Sequence, residues 1–320
     1  MLRWGILGTA DAAEVAAPAL RALGHDLAVI GAPSRTAAQA FAAGHGVRRA
    51  RGGYQAVLEA DDVDCVLVAT PPADREPWVV AALEAGAHVL SQAPLALESD
   101  AAARAVAAAG RHGRVLAETR WARFHPALGE LRRSLRGDEV GAARMVHATL
   151  TAGLPAADDP RLDPARGGGV DADLGSQALA AVRALAHADP DEVLATTHRC
   201  ARGLPLRTAV LLRLPGGVVA SVQVAYGAAP VDELVLVGAH GWLRAHGALA
   251  ARDGVVGLWR GADGQPGTAA PIDGDGPTAL LEAFAAAVDQ GDPGPLPLED
   301  VVADALVRDR ITAAGRRGAA

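Results

Sequence analysis

Gly8, Ala10 and Ala13 are spaced for one kind of chemistry. Small residues at this spacing let a backbone turn tightly, approach a pyrophosphate and seat a helix on a strand. The turn itself, Gly8-Thr9-Ala10-Asp11-Ala12, ends an apolar run and offers an anion the amides and positive dipole end of the next helix. Two of the three glycines of the dinucleotide fingerprint are alanine here, and the Ala10 methyl lies where phosphates would pass. Asp11 either caps the helix or bonds a ribose hydroxyl, and its charge opposes a nearby phosphate. Taken alone, these residues also fit an ordinary strand-to-helix turn. About 25 residues on, at the position that reads the adenosine ribose, stand Ser34 and Arg35. An acidic residue there would bond the 2'-hydroxyl of NAD; serine and arginine suit a 2'-phosphate, which favours NADP(H) over NAD(H). The plainer alternative is a solvated loop arginine.

These residues need a scaffold, and the patterning supplies one. Apolar runs at 2–7, 26–31, 64–69, 87–90 and 114–117 alternate with helical stretches at 12–23, 36–45, 78–85 and 100–109. Short continuous apolar runs read as strands buried on both faces, and alternation with helices makes the sheet parallel. Thr70-Pro71-Pro72 then sits at a strand's carboxyl end, where such sheets bind ligands. Gly86 and Gly110 close two of the helices. Beyond Glu118 the rhythm changes. A strand at 144–151, a Gly/Pro/Asp-rich loop at 153–169 and a helix reaching 188 precede alternating stretches at 192–197, 206–214, 218–225, 233–237 and 241–245, read as antiparallel strands. Pro215-Gly216-Gly217 is a hairpin turn, 261–276 reads as a flexible excursion, and helices cover 280–288 and 301–313. The expected division is a dinucleotide-binding domain at 1–120 and a substrate and oligomerisation domain at 121–320, with the last helix packing back on the first domain.

In order along the chain, Trp4-Gly5-Ile6-Leu7-Gly8-Thr9-Ala10, Ser34-Arg35, Ala69-Thr70-Pro71-Pro72, Leu83-Glu84-Ala85-Gly86 into His88-Val89-Leu90, Arg123-Phe124-His125-Pro126, Gly167-Gly168-Gly169 and Pro297-Leu298-Glu299-Asp300 resemble the family of glucose-fructose oxidoreductase, inositol dehydrogenase and rhizopine-catabolism proteins (Gfo/Idh/MocA). The resemblance implies an α/β protein with an N-terminal Rossmann domain and a C-terminal α/β domain built on a large, mostly antiparallel sheet, with substrate held over the nicotinamide. In that family a Glu-Lys-Pro tripeptide follows one strand, and its lysine binds substrate and cofactor and assists proton transfer. Here the tripeptide is Gln92-Ala93-Pro94. After the glycine run the family has an aspartate and, four residues later, a histidine or tyrosine; here these are Asp173 and Gln177. On a helix beginning near Leu174 that spacing puts both on one face. Arg75 stands where the family tends to have a histidine.

Alanine neither gives nor takes a proton and glutamine does not titrate, so the usual lysine–histidine route is in doubt; losing a general acid–base group removes about 10²–10⁴-fold of rate. Hydride transfer itself belongs to the cofactor. The remaining catalytic candidates are Asp173, Gln177 and His125, with Arg120, Arg123, Asp171 and Arg166 as substrate-binding candidates and Arg161 beside them. Asp173 is either a polar group of the site or a helix cap, and His125 either a catalytic group or a hydrogen-bonded junction residue.

Composition narrows the partners. A net charge of -7 with arginines spread along the chain argues against nucleic acid, and no stretch approaches the ~18 apolar residues of a bilayer span. The N-terminus has no basic segment followed by an apolar run, so a cytoplasmic protein is expected. Cys65 and Cys200 lack metal or redox spacing and read as buried structural thiols; no metal site is expected. The Val- and Leu-rich open face of the second sheet predicts a homodimer or homotetramer. The leading expectation is an NADP(H)-dependent oxidoreductase acting on a small polar molecule such as a sugar derivative. The alternative is a family member without redox chemistry, acting as a binding protein or a cofactor-independent catalyst.

Overall fold

The computed structural model describes residues 1–136, 139–186, 188–250, 255–262 and 267–317. They form two compact units, Met1–Thr119 with Pro277–Ala305, and Arg120–Gly276 with the chain from Leu306 onward.

The first unit runs β1 (Arg3–Leu7), α1 (Asp11–Ala22), β2 (Asp26–Ala32), α2 (Arg35–His45), β3 (Arg49–Gly52), α3 (Gln55–Leu58), β4 (Cys65–Val68), α4 (Pro72–Glu84), β5 (His88–Ser91), α5 (Ser99–His112) and β6 (Leu116–Glu118). All pairings are parallel, in the order β3-β2-β1-β4-β5-β6. The order reverses between β1 and β4, which is the switch point where such sheets bind ligands. Every residue of β4 is buried, as a strand covered on both faces requires. α1 packs by a stripe of alanines, Ala12, Ala13, Ala16 and Ala17, continued by Leu20. Two helix bounds differ from the sequence reading. α4 begins six residues earlier than expected, because Pro72 at a helix's first positions has a suitable φ and its missing amide is not needed there. α5 runs through Gly110 to His112, and Gly113, at φ +59, stops it.

The second unit opens with two helices that the sequence reading missed, α6 (Trp121–Phe124) and α7 (Pro126–Arg136). β7 (Ala143–Ala152), α8 (Ser176–Ala186), β8 (Glu192–Arg199), β9 (Pro205–Leu214), β10 (Val218–Tyr226), β11 (Val231–Gly238), β12 (Gly241–His246), β13 (Val255–Ala262) and β14 (Thr268–Asp273) follow. The eight strands form one sheet, β14-β13-β12-β11-β7-β10-β9-β8, antiparallel throughout except where β10 runs parallel to β7. β13 and β14 correct the expected flexible excursion, of which 263–266 lie outside the described residues. Leu128 and Leu131 of α7 and Leu179, Val182 and Leu185 of α8 join Val146, Val222, Leu234 and Leu243 of the sheet in one core. α9 (Gly276–Gln290) and α10 (Leu298–Arg317) end the chain. Phe284 of α9 lies 5.4 Å from Trp4 in the first unit; Val301 and Ala305 join that unit's core, and Val307 and Ile311 that of the second. No described helix is long and apolar enough to cross a membrane.

Candidate functional site

Gly8 leaves β1 at φ +94, where an L side chain is strained, and a Cβ there would lie 2.3 Å from the Ala69 carbonyl oxygen. The turn is pinned from both neighbouring strands, by Gly8 N–H to Gly31 O at 2.8 Å and Ala69 N–H to Leu7 O at 2.7 Å. Ala10 is the N-cap of α1 and offers no side-chain acceptor, so Asp11 is the first helical residue and not the cap. Ser34 caps α2: its Oγ accepts the Ala37 N–H at 3.1 Å, and Arg35 follows it, with both side chains exposed. Thr70, Pro71 and Pro72 lead from β4 into α4. Gln92 leaves β5 with its N–H donated to Val68 O at 2.8 Å. The residues read as cofactor-binding therefore all lie at the carboxyl ends of β2, β1, β4 and β5, four neighbours in the sheet.

At the last two of these ends, Thr70 Oγ1 and Gln92 Oε1 are buried and have no hydrogen-bond partner among the described residues. A buried polar atom left so costs about 1–3 kcal/mol, and a ligand bringing donors relieves it. Together with the glycine-dependent turn and the uncapped helix, these atoms fit a bound nicotinamide dinucleotide. Arg75 is buried close by. Its guanidinium donates to Thr70 O from Nε (3.0 Å) and Nη2 (2.6 Å), and to Pro94 O from Nη1 (2.6 Å). It therefore ties the end of β4 to the loop after β5. In that loop the Ala93–Pro94 peptide is cis. The Ala93 N–H is donated to Thr119 Oγ1 at 3.1 Å, and that of Leu95 to Glu118 Oε1 at 2.5 Å.

In the second unit, the helix expected from Leu174 instead opens with a π turn, Asp171–Gly175, followed by α8 from Ser176. π turns inserted in helices are frequent at functional sites. The N-cap is Val170, so Asp173 is not a helix cap. Asp173 Oδ2 accepts the hydroxyl of Tyr226 at 2.7 Å and lies 3.9 Å from Arg161 Nη1. Asp159 in turn accepts from Arg161 Nε (3.0 Å) and Nη2 (2.7 Å), and this pairing holds its carboxyl below the usual range. Burial first, then the charge and hydrogen bond of Asp173, push the Tyr226 phenol well up. Asp171 faces β9 instead. Burial pushes its carboxyl up, opposed by the Thr208 hydroxyl and the Arg199 charge, and its Oδ1 has no hydrogen-bond partner among the described residues. Tyr226 escaped the sequence reading because only the fold brings it to a residue 53 positions away.

The other candidates scatter. Gln177 is half-buried in the first turn of α8. Arg120 is buried and donates from Nη1 to Ser176 O at 2.8 Å. Arg123 is half-buried on α6. Arg166 pairs with Asp163 at 3.5 Å and is half-exposed. His125 is buried, and its Nδ1 accepts the Ala127 N–H at 3.1 Å, which assigns the proton of the neutral ring to Nε2. Cys200, expected to be buried, is only partly so.

Residues 2–119 match the model of an oxidoreductase family with an NAD-binding Rossmann fold, and residues 128–244 that of the GFO/IDH/MocA C-terminal domain. The first unit thus carries an NAD(P)-binding Rossmann domain. The chain is 32% identical over 325 residues to D-xylose 1-dehydrogenase (NADP(+)) 2 of Haloferax volcanii, across 100% of this chain and 99% of the relative. It is 37% identical over 252 residues to dTDP-3,4-didehydro-2,6-dideoxy-alpha-D-glucose 3-reductase of Streptomyces antibioticus, across 76% of this chain and 75% of that one. Among solved structures, a 3-ketoreductase from Actinomadura kijaniata in complex with NADP and TDP-benzene matches with a TM-score of 0.90 at 26% identity, covering 98% of this chain and 97% of that one.

Proposed function

Because the chain belongs to the Gfo/Idh/MocA family of oxidoreductases, we propose that it is an NADP(H)-dependent oxidoreductase acting on a small polar substrate, a sugar or sugar derivative, with a proton-transfer group other than the family's lysine. The observation that carries this reading is the pair of unpartnered buried atoms, Thr70 Oγ1 and Gln92 Oε1, at the carboxyl ends of β4 and β5. The bound nicotinamide supplies the hydride chemistry. Gly8 lets the backbone approach the pyrophosphate, and Arg35 supplies a cation for the 2'-phosphate. Ala93 stands in the lysine's place; in the second unit Asp173 offers a carboxylate that can exchange a proton, and Gln177 hydrogen-bonds without titrating. The names of the relatives support the substrate class: one acts on D-xylose and another on a dTDP-linked sugar.

The test is a titration with NADPH and NADH followed by nicotinamide fluorescence, on the parent chain and on Arg35→Ala. Loss of one charge-assisted contact weakens NADPH by about 10–100-fold and leaves NADH unchanged. Equal effects on both overturn the 2'-phosphate assignment. If neither nucleotide binds the parent chain, the redox reading falls. The second reading, a redox-free role, is favoured by Ala93 and takes its place in that case.

A further inference from the structure

Arg75 lies in the first turn of α4, at the positive end of the helix dipole, and only 1% of its surface is exposed. A cation is disfavoured at that end, and burying one is costly unless its donors are bonded. Packing alone would be better served there by an apolar residue. Three of the donors are bonded: Nε and Nη2 reach Thr70 O at 3.0 and 2.6 Å, and Nη1 reaches Pro94 O at 2.6 Å. Those carbonyls stand beside the two buried polar atoms that have no partner among the described residues, Oγ1 of Thr70 itself and Oε1 of Gln92, two positions before Pro94. The loop is held from the sheet as well, since Val68 O accepts the Gln92 N–H at 2.8 Å and Thr119 Oγ1 the Ala93 N–H at 3.1 Å. Every one of these residues belongs to the first unit.

We propose that Arg75 is a positioning residue for the nicotinamide half of the cofactor: its planar fork, bonded to both carbonyls at once, holds Thr70 Oγ1 and Gln92 Oε1 in place for the amide and hydroxyl donors of that half. The assignment rests on the oxidoreductase reading above and adds to it a residue and the half of the dinucleotide that it serves. Partners fixed in advance raise affinity because no ordering remains to be done on binding. A guanidinium stays charged at every working pH and spans two carbonyls in a rigid geometry, which a lysine's single ammonium does not. In the same reading the adenosine half falls to other residues, Ser34 and Arg35 at the start of α2.

The deciding experiment is a double-mutant cycle on the full chain, with Arg75→Lys and Thr70→Val made singly and together. Each chain is titrated by calorimetry with NADPH and with adenosine 2',5'-bisphosphate, the half of the cofactor that lacks nicotinamide. Thr70→Val removes one hydrogen bond and should weaken NADPH about tenfold. Arg75→Lys leaves the threonine in place yet should weaken NADPH by a similar factor. In its background Thr70→Val should add less than about twofold, because the hydroxyl is no longer held for the ligand. The bisphosphate should bind all four chains equally. Unchanged NADPH affinity in either single variant, or losses that simply add, overturn the proposal. So does an equal loss of both ligands, which marks a general loss of structure. Arg75→Gln, which keeps a donor without the charge, makes the same test if the lysine chain does not fold. Failure of the oxidoreductase reading shows separately, as a parent chain that binds neither ligand, and takes this assignment with it.

Discussion

The side chain of Ala93 is a single methyl group, inert to proton transfer. It cannot donate, accept or attract, yet the residue's backbone N–H is held by Thr119 Oγ1 at 3.1 Å. The loop geometry is therefore in place without the cation. Ala93→Lys should raise alcohol oxidation with NADP+ toward the ~10²-fold of a general acid–base group, measured as initial rate over an aldose panel; no gain would mean that the surrounding groups have diverged as well. At Gly8 the constraint is conformational. A Cβ 2.3 Å from Ala69 O at φ +94 should make Gly8→Ala cost at least about 1–3 kcal/mol from backbone strain alone, read as a lower urea midpoint with unchanged slope. An unchanged midpoint would show that the turn relaxes freely.

At the scale of elements, the π turn sets two carboxyls in different surroundings, Asp173 toward Tyr226 and Asp171 toward Thr208. Burial raises the Asp171 carboxyl above its ordinary value of 3.8, so the folded state binds this proton more tightly than the unfolded chain does. Its contribution to stability is fully present below 3.8 and is lost as pH rises through the raised value. Asp171→Asn removes the buried charge and should melt at a higher temperature than the parent at neutral pH, with the gap closing in acid below 3.8; a gap that persists there would mean that packing, not charge, separates the two. This turn was hidden in the sequence because the four-residue spacing of Asp173 and Gln177 continues through it as if the helix were regular. The parallel sheet was legible, since its strands are continuous apolar runs such as 65–68 with every residue buried. β14 was not: Pro271 and its exposed residues give no alternation. Nor was the burial of Arg75, which donates to the backbone carbonyls of Thr70 and Pro94, groups that leave no mark in side-chain pattern.

The largest scale concerns the sheet face opposite the one that α7 and α8 cover. Register places Leu194, Leu211, Ser221, His147, Val235, Arg244 and Trp259 in one row across seven strands. Met145, Leu194, Leu211, Val219 and Val231 are exposed there. Glu192 pairs with Arg213 at 3.2 Å, and Glu233 pairs with Arg244. Eight strands at ~4.8 Å spacing span about 38 Å, and some six residues per strand span about 20 Å. The face thus offers roughly 800 Å² per protomer, the area of a standard stable interface. A second copy of the chain is the proposed occupant: an isologous contact sets the same mixed apolar and charged rows against each other and leaves neither copy with its leucines in water. Leu211→Glu places two like charges in such a contact and should convert the assembly to monomers by sedimentation equilibrium, with NADPH affinity unchanged because β1, β2, β4 and β5 belong to the other unit. A parent chain that sediments as a monomer at micromolar concentration would remove the second copy as occupant of this face. A Leu211→Glu chain that stays assembled would move the contact elsewhere on the protein.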